Sequence, residues 1–167
     1  MKPISIARFD QDIWIRITGR GNFKCSVAFK QLIIEMITKG YYHYIIDLRE
    51  CGQLDSTFMG TMIGIAQRLR QYHQAWLRVV NVSPSNQETM ENLGLDQFFL
   101  IQPLSLKEEL PPDLNTSCFQ ESSISIPLAE EKVKLQEALV SAHQALVDLN
   151  KSNAEKFKNV FELCLQR

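Results

Sequence analysis

Tyr42-His43-Tyr44-Ile45-Ile46-Asp47-Leu48 is apolar almost throughout, and soon after it Met59, Met62, Ile63, Ala66 and Leu69 recur at helical spacing. A strand without polar alternation is one buried on both faces. Followed by an amphipathic helix, it makes the repeating unit of a layered α/β fold. On that second helix Thr61, Gln67, Arg68, Arg70 and Gln71 are expected to face outward.

The flanking segments extend the same plan. Ile4 and Ile6, then Ile13, Ile15 and Ile17, alternate with polar neighbours around Phe9-Asp10-Gln11-Asp12, which predicts two strands joined by a hairpin turn. Gly19-Arg20-Gly21-Asn22 closes the pair. Cys25, Ala28, Phe29, Leu32, Ile33 and Met36 predict a helix over Lys24 to Lys39, stopped by Gly40. A strand over Trp76 to Val82, a helix over Pro84 to Leu93 and a short strand over Phe98 to Ile101 complete the series. Residues 1–102 are therefore expected to form an α/β domain, a mixed sheet of about five strands with helices packed on it, in which alternation implies right-handed parallel crossovers.

Beyond it the pattern dissolves. Residues 103–127 contain Pro111-Pro112 and five serines, and read as a linker whose Leu104, Leu106, Leu110, Leu114 and Phe119 dock in part on the domain. Residues 128–167 read as a helical, coiled-coil-like extension with Leu135, Leu139, Ala142, Leu146 and Leu149 on one seam that drifts toward Phe157, Val160 and Cys164. As one helix it would run for about 58 Å at 1.5 Å per residue and would need a partner. Ser152-Asn153-Ala154-Glu155 matches a capping box, so a hairpin of two helices stands beside the continuous helix, and so does simple packing of the stripe on the chain's own domain.

With 18 basic and 19 acidic residues the net charge is −1, so no global field points to nucleic acid or a membrane surface. No apolar signal region opens the sequence and no run approaches the roughly 18 apolar residues of a membrane span, so a cytoplasmic location is expected. Cys25, Cys51, Cys118 and Cys164 are far apart and read as reduced, mostly packed thiols. His43, His73 and His143 read as surface or half-buried residues rather than catalytic bases. No metal and no cofactor are expected.

Asp55-Ser56-Thr57-Phe58-Met59-Gly60 puts two hydroxyls where strand gives way to helix. Ser56 stands like an N-cap residue, and the helix's free amides and positive dipole end would tolerate a phosphoryl group there. Such a group brings roughly −1.5 to −2 charges beside Asp55. At about 5 Å and an effective dielectric near 20, the repulsion is about 3 kcal/mol per charge pair, enough to change a partner's affinity about a hundredfold. A merely structural cap stands beside this reading.

The order of elements, with Asp47-Leu48 before a loop and Asp55-Ser56-Thr57 opening the next helix, resembles the STAS domain of bacterial anti-sigma factor antagonists. The resemblance runs from about Ile4 to Gln102 and is most specific from Asp47 to Gly60. A looser echo follows in Val79-Val80-Asn81-Val82-Ser83-Pro84, then Leu93-Gly94-Leu95 and Phe98. It implies a non-enzymatic binding module in which Ser56 is phosphorylated by a partner serine kinase that doubles as the anti-sigma factor, and is restored by a phosphatase. Asp55 would orient the hydroxyl, Thr57 would be a neighbour or secondary acceptor, and residues Asp55 to Gly60 would form the partner surface. Phe58 and Met59 replace the usual Gly-Leu, while Gly60 is retained. Phe58 reads as either a contact anchor or a residue packed over the sheet edge.

A constitutive scaffold assembling as a homo-oligomer through residues 128–167 is the alternative function. An enzyme has thin support: Gly19-Arg20-Gly21-Asn22-Phe23-Lys24 lacks the features of either nucleotide fingerprint, Asp47 fits a structural carboxylate, and no nucleophile, base and orienter assemble along the sequence.

Overall fold

A two-residue turn at Asp10 and Gln11 joins β1 (Ile4–Phe9) to β2 (Asp12–Ile17), antiparallel with Phe9 opposite Asp12 and Ile4 opposite Ile17. Asp10 takes φ +53°, a left-handed conformation that aspartate tolerates better than most residues. The computed structural model describes residues 2–106, 110–111, 116–122 and 128–165, with backbone alone at 116, 128–131 and 159–165. Leu114 and the side chains of Val160 and Cys164 thus lie outside the described residues.

Next along the chain come β3 (Gly19–Gly21), α1 (Phe23–Thr38), β4 (His43–Asp47), β5 (Cys51–Leu54), α2 (Ser56–Leu69), β6 (Trp76–Val82), α3 (Pro84–Asn92), β7 (Leu100–Pro103) and β8 (Gln120–Glu121). The main sheet has the order β7-β6-β4-β2-β1-β8, and β4 runs parallel to β2 on one side and β6 on the other. Six strands stand where about five were expected. The addition is β8, which pairs antiparallel with Ser5 and Ile6 of β1. A second, two-stranded sheet pairs β3 with β5 in parallel. The expected strand over Phe98 to Ile101 lies further on as β7, after a 3₁₀ turn at Leu95–Gln97. Phe99 sits in the core rather than in a ladder, which is why its hydrophobicity misplaced the strand.

The sheet has two differently dressed faces. Ile15, Ile46 and Val79 meet Phe29, Leu32, Ile33, Met59, Met62 and Ile63 of α1 and α2 in the main core. On the reverse, Ala7, Trp14, Ile45 and Val80 are covered by Leu110 and Phe119. β4 is buried on both sides, as its unbroken apolar run requires. Of the leucines expected to dock from the linker, Leu110 does so, whereas Leu104 and Leu106 are exposed.

Local chemistry fixes the helix ends. The Asn22 side chain accepts the Lys24 and Cys25 amides at the start of α1, and Gly40 at φ +89° ends it. Ser83 caps α3 ahead of Pro84. The C-terminal segment forms α4 (Leu128–Leu149) and α5 (Ser152–Leu165), broken where the capping-box match stood. At that corner the Asn150 side chain accepts the Ser152 amide. The stripe that read as a self-assembly seam faces inward: Leu146 is fully buried in the main core, with Leu149 and Phe157 packed against it. α4 lies chiefly along α2 and touches α1.

Candidate functional site

The residue that caps α2 is Asp55, one position earlier than expected, and Ser56 is the first helical residue. A carboxylate with two strong acceptor oxygens outcompetes the neighbouring hydroxyl for this position. Asp55 Oδ1 accepts the Phe58 amide and Oδ2 accepts the Phe23 amide, both at 2.8 Å. One side chain thus ties together the N-termini of α1 and α2. Its charge also reaches Cys25 beneath it: burial first, then Cys51 and Asp55, push that thiol up to about 12.

Ser56 is half-buried, and its Oγ lies 2.9 Å from Nε2 of His143 on α4. His143 is 1% exposed, against the expectation of a surface or half-buried ring. Its Nδ1 is 2.7 Å from the Leu139 carbonyl, which can only accept, so in the neutral ring Nδ1 carries the hydrogen and Nε2 accepts from the serine. A hydroxyl, an imidazole and an orienting carbonyl therefore do assemble, across a sequence separation of 87 residues. The Phe58 and Met59 amides at this helix end are already bonded to the side chain and carbonyl of Asp55, so they are not offered to a developing oxyanion. The site presents a serine hydroxyl polarised by an imidazole.

The remaining predicted residues face inward. Thr57 is 3% exposed, Phe58 is fully buried and stacks on Phe29 at 4.9 Å, and Met59 joins the same core. A partner reading α2 as it stands would meet neither the Thr57 nor the Phe58 side chain, and Met59 only where it lines the cleft beside Ser56. Gly60 marks the closest approach of α4, since a Cβ there would stand 2.1 Å from the Ala142 carbonyl oxygen. Thr61, expected to face solvent, is 6% exposed because α4 covers it.

Two clefts flank this contact. One of about 340 Å³ is lined by Ser56, Met59, Thr89, Asn92, Lys156 and Phe157. The other, of about 490 Å³, runs between α1, α2 and α4, with Lys30, Arg68, Gln71 and Asp148 among its polar lining. Among the described residues no group of three or more His, Cys, Asp and Glu could hold a metal ion, and no helix is long and apolar enough to cross a membrane.

Asp47 is committed elsewhere. It is fully buried; its Oδ2 accepts Arg16 Nε at 3.1 Å and stands 3.0 Å from Nη2 in the same ion pair, while Oδ1 accepts Asn81 and the Arg49 amide. The Arg16 guanidinium in turn lies 4.1 Å from the Phe119 ring centroid. Asp47 is thus a structural carboxylate, as its place in an apolar strand suggested.

Residues 4–109, well over half of the chain, match the STAS domain family. The chain belongs to that family. Its STAS fold is also found in TM1081 of Thermotoga maritima, proposed to be an anti-sigma factor antagonist. The crystal structure of that protein superposes with a TM-score of 0.55 at 16% identity, over 59% of this chain and 85% of that one. The NMR structure of TM1081 gives 0.55 at 18% identity over 64% and 84%. The anti-sigma factor antagonist SpoIIAA in its unphosphorylated form gives 0.50 at 17% identity over 59% and 86%. No curated protein matches the chain. The STAS match ends before α4, so His143 and the contact at Gly60 belong to what this chain adds to the domain.

Proposed function

We propose that this chain is a non-enzymatic regulatory module of the anti-sigma factor antagonist type, whose hold on a partner serine kinase falls when that kinase phosphorylates Ser56. The observation that carries the reading is the place of Ser56: first residue of α2, next to Asp55 and among the residues that line a cleft of about 340 Å³. Transfer of the γ-phosphoryl of ATP forms the Oγ–P bond, breaks the bond to the β-phosphate, releases ADP and passes the hydroxyl proton to a base of the kinase. The added charge of roughly −1.5 to −2 then repels acidic groups of a partner docked over Asp55. The kinase doubles as an anti-sigma factor, a phosphatase restores the hydroxyl, and the exchange takes place in the cytoplasm. Residues 1–102 read the partner, and 103–127 link them to the 128–167 extension.

Capture with wild type, Ser56→Ala and Ser56→Asp, followed by incubation with ATP and phosphosite mapping by mass spectrometry, tests this. Wild type and Ser56→Ala retain a kinase that Ser56→Asp loses, and the phosphate maps to Ser56. Phosphate on other residues only, or identical capture by all three, would remove the switch.

The scaffold alternative draws on Val133 and Val140, seven residues apart and exposed on α4. Light scattering of the full chain decides it: a monomer at high concentration leaves that reading without support.

A further inference from the structure

The added hairpin rests on the helix that carries Ser56. At Gly60 the two backbones touch, for a Cβ there would stand 2.1, 2.5 and 2.8 Å from the O, C and Cα of Ala142. Ala138, Ala142 and Ala145 are all nearly buried, and their small side chains allow this close crossing. One turn before Gly60 along α2, Ser56 meets His143 at 2.9 Å. The hairpin corner is clasped to the end of α3, where Asn153 Nδ2 donates to the Leu93 carbonyl at 3.0 Å and to Leu146 of α4 at 2.8 Å. Lys156 Nζ donates to the Asn92 carbonyl, and Phe157 sets its ring edge-on to His143 at 4.7 Å.

We infer that the α4–α5 hairpin is a resident cover of the α2 face, that the Ser56 hydroxyl is its latch, and that a phosphoryl group on Ser56 keeps the cover open. This rests on the reading of Ser56 as the modified residue. A kinase cleft cannot close around Ser56 while α4 lies along α2, so a partner reaches the serine by displacing the hairpin. The hydroxyl has a single hydrogen, and it goes to Nε2 of a ring whose tautomer the Leu139 carbonyl sets. Phosphoryl transfer replaces that hydrogen, with ADP leaving, and a phosphoester oxygen has none to give. Two acceptors then face each other at hydrogen-bond distance, with new negative charge beside Asp55. Lys156, the cation among the residues lining the cleft, is held by the Asn92 carbonyl at the end of α3. The cover does not reseat, and α2 stays open after the partner has left.

Hydrogen exchange of the full-length chain, with no partner present, tests this. Four samples are compared: wild type, protein with genetically encoded phosphoserine at position 56, Ser56→Asp, and Gly60→Ala, which wedges the helices apart without adding charge. In the three altered samples the amides of residues 134–149 exchange about tenfold faster or more, the loss expected from one hydrogen bond and its packing. The amides of β4 and β6 keep their wild-type protection. Unchanged exchange in α4 with phosphoserine overturns the proposal. Slower exchange there also overturns it, because Lys156 and His143 would then be capturing the phosphate and tightening the cover. Equal acceleration of the sheet in every altered sample overturns it as well, since hairpin and domain would open as one unit. Because no kinase enters the measurement, failure to find a kinase for Ser56 and failure of the latch are told apart.

Discussion

Replacing Asp55 by alanine removes both acceptors that hold the site's geometry. Loss of the cap on the Phe58 amide costs about 1 kcal/mol, within a range of roughly 0.5–2 for N-cap replacements. The Phe23 amide lies at the surface and recovers a water, so losing Oδ2 there adds only about 0.5–1 kcal/mol rather than the full value of a charged hydrogen bond. Removing a carboxylate from two helix N-termini adds about 0.3 kcal/mol or more. The total is about 2 kcal/mol, which lowers Tm by about 4–8 °C for a chain of this size. Asp55→Asn keeps Oδ1 but turns an amino group toward the Phe23 amide, and costs about half as much. Urea denaturation followed by far-UV circular dichroism at pH 7 reads both. Asp55→Ala within about 0.5 kcal/mol of wild type, or Asp55→Asn worse than Asp55→Ala, would refute the double-cap account.

Asp47→Ala leaves a guanidinium that is only 4% exposed with the more distant Glu50, at 3.8 Å, as its remaining carboxylate and costs about 3 kcal/mol by chemical denaturation, whereas Asp47→Leu combined with Arg16→Met costs less than either single change. Leu146→Ala, at a fully buried position where α4 enters the main core, costs about 2–5 kcal/mol; a loss below about 1 would mean that the hairpin is not seated as described. Alkali gives a test with a defined sign. Cys25 titrates near 9.0 unfolded and about 12 folded, so its contribution is fully present below about 9 and is lost as pH rises through that window. Burial raises Tyr44 too, in the same direction. Urea midpoints should therefore fall above pH 9, and fall less steeply in Cys25→Ala; a midpoint that rises across the window contradicts the buried thiol.

What was legible in the sequence followed from what each element buries. β4 declared itself because both of its faces are covered, and α1 and α2 because one stripe meets the sheet. β3 and β8 are three and two residues long, too short to show any period, and their existence depends on β5 and β1 being in place. The cap was misplaced by one residue because a serine and an aspartate adjoin, and only geometry shows which of them reaches the Phe58 amide. From α2 alone Thr61 falls on the outward face, and it is the packing of α4 that buries it. His143 offered no local signal: one histidine on an amphipathic helix gains meaning only when folding brings Ser56 to it. Gly60 stands in the sequence as part of a signature motif, and the structure supplies a steric demand for it that sequence spacing does not contain.

The short reach between β8 and α4 sets the terms of any competition for α2. Ser122 is pinned, its amide donating to the Ile4 carbonyl at 3.0 Å, and five residues separate it from Leu128. Covalent geometry limits that leash to about 20 Å, so a detached hairpin never leaves the neighbourhood of its seat. Its local concentration is then on the order of millimolar, and a rival at micromolar concentration must grip the same helix about a thousandfold more tightly to displace it. Dilution of the protein cannot loosen the hairpin, because it competes at a strength written into the length of its tether.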